Sequence, residues 1–158
     1  MSIFSRLRAR KEARALNREL GEGLWRRAHD RFVRALDRYH QMLDGVDDVE
    51  AFNELAELGN RLADLLVPVR ELCVHCQREH PSDELTVPNE CRKVHAHLSS
   101  GANALATCAE AAALFRMRQV PISQVHFRSE KVFLEISEAH EELQRKLGGN
   151  TDSEGTSS

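Results

Sequence analysis

Apolar residues recur at steps of three and four in four successive segments of this chain, the period of one face of an α-helix. The first series is Leu16, Leu20, Leu24, Ala28, Phe32, Ala35, Tyr39, Leu43, and the second is Phe52, Leu55, Leu58, Leu62, Leu66, Val69, Cys73, Cys76. The third is Cys91, Val94, His95, Leu98, Ala102, Leu105, Ala109, Ala112, Phe115, and the fourth is Val125, Val132, Ile136, Ala139, Leu143, Leu147. Few prolines and scarce aromatic residues agree with an all-α chain. Short connections between long helices imply antiparallel neighbours, so the expected architecture is an up-down-up-down four-helix bundle. At 158 residues, one domain over 1–148 is expected.

The punctuation between the segments supports this. Gly21 and Gly23 interrupt the first helix and predict a kink or hinge, each glycine costing about 1 kcal/mol relative to alanine. Ile3, Phe4 and Leu7 lie on a different face from Leu16 and Leu20, which suggests a separate basic arm over residues 1–12. Gly45 can end the first helix, and Asp47 or Asp48 can cap the second. Pro68 predicts a kink within the second helix, and Pro81 predicts its end at His80. Pro88 suits the first turn of the third helix, and Ser123 suits the N-cap of the fourth. Gly148 and Gly149 are expected to end that helix, leaving a disordered tail over 149–158.

Charge is unevenly placed. Residues 1–40 hold 11 Lys/Arg against 5 Asp/Glu, a net of +6, and residues 41–158 hold 11 against 20, a net of −9. The start of the chain is punctuated by Arg6, Arg8, Arg10, Lys11 and Arg14, so it contains no apolar signal-peptide core. No stretch reaches the roughly 18–20 apolar residues of a membrane span. The expected compartment is the cytoplasm, where cysteines are reduced, metal-bound or buried rather than disulfide-bonded. The basic start reads first as a solvated helix face with arginine stems lying over the core. It would also fit a protein partner or an anionic membrane surface. Nucleic acid is disfavoured, because the body is acidic and no aromatic residues interleave the basic ones.

One constellation suggests chemistry. Cys73-Val74-His75-Cys76 is followed, after fourteen residues, by Cys91-Arg92-Lys93-Val94-His95. If the second and third helices form a hairpin centred near Glu84, Cys76 and Cys91 lie at matching heights, as do Cys73 and His95 one turn further along. At 100° per residue, Cys73, Cys76 and His80 share an arc of roughly 60°, while Cys91 and His95 lie within about 40° of each other. His75 and His97 point elsewhere. The expected site is therefore a structural Zn²⁺ held by Cys73, Cys76, Cys91 and His95, with His80 able to substitute for His95. Thiolates and a neutral imidazole suit that ion, and such a site would couple metal binding to folding.

Two other readings use the same residues. The cysteines can be small core hydrophobes with a hydrogen-bonded His95, as Cys108 suggests, about 25 Å along the third helix from Cys91. Alternatively, Cys73–Cys76 or Cys76–Cys91 can be a redox pair in a thiol or metal sensor. A c-type haem is disfavoured because Gln77 follows the CxxC. Asp37 with His40, and His126 with Glu130, lack the paired inward motifs of a di-iron site and read as solvated helix pairs. His29, His40 and His140 read as surface or boundary residues. No phosphate loop, nucleophile elbow or paired-carboxylate motif is present. The chain reads as a non-enzymatic interaction or regulatory protein, for which a homodimer fits because Trp25 and Phe127 flank their stripes.

Overall fold

The computed structural model of the chain describes residues 2–82 and 84–152. They form an all-α fold with no strand among the described residues. The helices are α1 (Ile3–Leu20), α2 (Leu24–Leu43), α3 (Val49–Asp64), α4 (Leu66–Glu79), α5 (Arg92–Arg116) and α6 (Ile122–Asp152), with a single 3-10 turn at Asn89–Cys91 before α5. No described helix is long and apolar enough to cross a membrane.

Two of the expected long helices are each divided in two. The glycine break is complete rather than a kink. Gly21 takes φ 67°, a left-handed conformation open to a residue without Cβ, and its N–H donates to the Asn17 carbonyl as a C-cap. Gly23 then becomes the N-cap of α2. In the second series the chain breaks at Leu65, between α3 and α4, and not at Pro68. The physical reason lies in the helical ladder. Pro68 lacks the N–H that would reach back to the Asp64 carbonyl, and its ring crowds that carbonyl, so the fault falls near residue 64. Pro68 itself then occupies the first turn of α4, where an N–H has no intrahelical acceptor.

Other boundaries follow local chemistry. Asp48 caps α3, its side chain accepting from the Ala51 N–H at 2.7 Å. The α4 helix stops at Glu79, with His80 out of the helical region (φ −137°, ψ 69°) ahead of Pro81. Pro88 lies one step outside the 3-10 turn, at its N-cap. The α6 helix starts at Ile122 behind Pro121, so Ser123 lies inside the first turn and is not the cap. Gly148 and Gly149 do not end α6, which continues to Asp152. Of the expected tail, 149–152 is helical and 153–158 lies outside the described residues.

The core is built on α2 and α5. The α5 helix packs along both α2 and α6, α2 also meets α3 and α4, α6 meets α3 and α4, and α1 touches α2 and α4. Trp25, Phe32 and Tyr39 bring three large rings from one face of α2, all fully buried. Each contributes about 1.5–3 kcal/mol through burial. The Tyr39 hydroxyl donates to the Leu55 carbonyl at 2.7 Å, joining α2 to α3. The α5 helix buries small residues, including Gly101, Ala102, Ala109 and Ala112. A Cβ on Gly101 would lie 2.9 Å from Ile136 Cδ1, so the glycine sets how closely α6 approaches.

Side-chain polar contacts tie α5 and α3 to α6. His97 Nδ1 meets Glu135 Oε2 at 2.7 Å between α5 and α6, and His126 Nε2 meets Glu54 Oε1 at 2.7 Å between α6 and α3. His126 therefore pairs across helices and not with Glu130. His29 is buried, at 7% exposure, and not a boundary residue. Its Nδ1 lies 3.0 Å from Asp30 Oδ1, a polar contact that makes burial tolerable.

Candidate thiol site at the α4–α5 corner

Local sequence brings Cys76 and Cys91 to one corner. Cys76 lies in the last turn of α4, and Pro81 forces the chain out of that helix within five residues. The returning loop is closed by buried Ser82, whose hydroxyl donates to the Glu84 and Thr86 carbonyls at 3.0 Å each. Cys91 then closes the 3-10 turn, its N–H donating to the Pro88 carbonyl at 3.1 Å. It occupies the N-cap position of α5.

A close interaction links the two thiols. Its effects on the partners are opposite. The contact with Cys91 and then burial push the Cys76 pKa far above the ordinary thiol range. The contact with Cys76, and then the Lys146 ammonium, pull the Cys91 pKa below that range against the opposing effect of burial. The free N–H groups at the start of α5 favour an anion at the same sulfur. Cys91 is thus the more acidic thiol of the pair and Cys76 the less acidic.

Cys91 lines a cleft of about 670 Å³ whose walls include His75, His80, Glu90, Leu143 and Lys146. Across its rim His80 Nδ1 lies 3.9 Å from Glu90 Oε2. Lys146 and Glu90 were not singled out from sequence. Lys146 could have been, since it follows Leu143 by three residues along the inward stripe of α6.

The remaining expected ligands have other neighbours. Cys73 is buried one turn before Cys76, and burial followed by the charge of Asp30 pushes its thiol up to about 12. Cys108 is likewise raised to about 12 by burial, and its Sγ lies 3.5 Å from the Val125 carbonyl. His95 sits edge-on to Trp25, with ring centroids 5.7 Å apart and planes at 75°. Burial and then Arg31 lower its pKa, so the ring is held neutral. Among the described residues, no group of three or more His, Cys, Asp or Glu side chains has the arrangement to hold a metal ion. The wheel that joined Cys91 to His95 assumed continuous α-helix. The 3-10 turn ending at Cys91, with φ −110° and ψ 11° there, breaks that continuity.

No protein-family model, curated protein or solved structure matches this chain.

Proposed function

We propose that this chain is a non-enzymatic regulatory protein whose switch is the Cys76–Cys91 dithiol. Its scaffold on this reading is an up-down-up-down bundle of α2, α3–α4, α5 and α6, in keeping with the short connections between them. The single observation that carries the reading is the pairing of two buried cysteines across the α4–α5 corner, one of them lining a cleft. An oxidant of the peroxide class reacts with the Cys91 thiolate, whose sulfur takes one oxygen to become a sulfenic acid while hydroxide leaves and is protonated. Cys76 then gives up its proton and attacks that sulfur, expelling the second oxygen as water. Two thiols are oxidised to one disulfide, and one peroxide is reduced to two waters. The new bond would tether the end of α4 to the start of α5, and a partner reading that corner would sense the change.

Peroxide treatment followed by alkylation and peptide mass mapping tests this. The expected product joins Cys76 to Cys91 and leaves Cys73 and Cys108 alkylated, and Cys91→Ser abolishes it. Cys76 and Cys91 that both remain alkylatable under peroxide would overturn the reading.

Structural zinc is the second reading, with Cys73, Cys76, Cys91 and His95 as ligands, or His80 in place of His95. Its support is that Cys73 is close enough to raise the Cys76 pKa electrostatically and that His80 lines the cleft beside Cys91. It requires His95 to leave Trp25, or His80 to leave Glu90. Metal analysis of protein purified without added zinc decides: a stoichiometric ion supports it, and a trace amount with helicity unchanged by chelation defeats it.

A further inference from the structure

The first four turns of α1 stand apart from the rest of the molecule. Every residue from Ser2 to Arg14 is exposed, and Leu20 is the only buried residue of the helix. Ile3 is 74% exposed, Phe4 83% and Leu7 55%. An apolar cluster at a helix tip costs free energy in water and signals a partner. Wheel geometry indicates which way it faces. Leu16 and Leu20, which meet the body, form one stripe, and Ile3, Phe4 and Leu7 lie roughly opposite it within an arc of about 100°. Leu16 and Leu20 seat the C-terminal half, and Arg70 of α4 donates to Glu19 at 2.7 Å. The free half extends roughly 20 Å from that seat at 1.5 Å per residue.

Charge identifies the occupant. Ser2 to Arg18 contains six Lys/Arg and one Glu. Arg6 and Arg10 border the apolar arc on one side and Arg8 on the other, while Lys11 and Arg14 continue it along the helix. Among the described residues, none of these cations forms an ion pair. Ser2 caps the helix, its side chain accepting from the Ser5 N–H, so the tip stays helical out to the apolar residues. Phosphate groups of nucleic acid would account for the arginines, and an unpaired base could stack on Phe4, but neither gives aliphatic Ile3 and Leu7 an apolar surface. A second copy would offer acidic charge and exposed apolar residues such as Phe127 and Leu134, and the dimer measurement below separates that occupant from lipid.

We infer that α1 is an interfacial anchor that lays Ile3, Phe4 and Leu7 into an anionic lipid surface, with Arg6, Arg8, Arg10, Lys11 and Arg14 at headgroup level. The apolar tip enters the headgroup–acyl boundary while the cations meet lipid phosphates and carboxylates. The Leu16–Leu20 seat holds the body beside the membrane without inserting it.

Co-sedimentation of the full chain with phosphatidylcholine vesicles, with and without phosphatidylserine, tests the anchor. Binding is expected to the serine-containing vesicles and to weaken strongly at high salt. Replacing Arg8, Arg10 and Lys11 together by Gln is expected to weaken it on the order of a hundredfold, at about fivefold per cation removed. The double change Phe4→Ser and Leu7→Ser is expected to weaken it by about tenfold or more. Far-UV circular dichroism must show unchanged helicity in both variants. The inference is overturned by absence of binding to serine-containing vesicles, or by binding that ignores the Phe4→Ser, Leu7→Ser change. It is equally overturned if sedimentation equilibrium without lipid shows a dimer that this change dissolves, since a second copy would then cover the tip.

Discussion

Helices α1 and α2 are neighbours in the chain, similar in length and both rich in arginine, yet one buries a single residue and the other buries eight. Composition does not separate them. What differs is phase. In α2, Trp25, Phe32, Leu36, Tyr39 and Leu43 fall on one stripe, so a single orientation buries them all. In α1 the apolar residues are divided between opposite stripes, so no orientation against one surface can cover both. The helix accordingly seats its C-terminal end and leaves its tip in solvent. Gly21 and Gly23 permit the difference, since a complete break lets each helix take its own direction.

Three substitutions measure how deep this contrast runs. Phe32→Ala removes a fully buried ring from α2 and should cost about 3–5 kcal/mol in urea unfolding; a loss under about 1 kcal/mol would mean α2 is not the core helix described. Tyr39→Phe keeps the ring but removes the donor to the buried Leu55 carbonyl, with an expected loss of about 1–3 kcal/mol by the same assay. An unchanged midpoint there would remove that bond from the account of how α2 holds α3. On α1, Phe4→Ser should shift stability by no more than about 0.5 kcal/mol, because the ring touches no core. A shift comparable to that of Phe32→Ala would erase the distinction between the two helices.

The thiols offer a second contrast of the same kind. Cys73 and Cys108 are raised by burial, while Cys91 is drawn down by a neighbouring sulfur and Lys146. All four residues are buried. Acidity therefore follows the neighbouring sulfur and the charge at one corner, not the residue type or its depth.

Much of this was legible in the sequence for local reasons. Period-3.6 patterning identified an all-α chain because one turn of backbone geometry dictates which residues share a face. Asp48 and Pro81 marked boundaries because their effects act within a turn. The matched heights of Cys76 and Cys91 followed from counting outward from the loop. The site of the second break was also latent in the chain, four residues before Pro68, where its missing N–H leaves a carbonyl unanswered.

Tertiary structure decided the rest. It set His95 against Trp25 and buried His29 beside Asp30. It carried α6 through two glycines and brought Lys146 to the thiol corner. Each of these depends on a junction angle or on a neighbour remote in sequence. The 3-10 turn at Asn89–Cys91 is a clear instance, since a change of pitch over three residues interrupts the continuous helix that the repeat alone implied. The sequence alone determined which residues could share a helix face, because that follows from covalent geometry. Packing determined which faces met, because that depends on the directions the breaks impose.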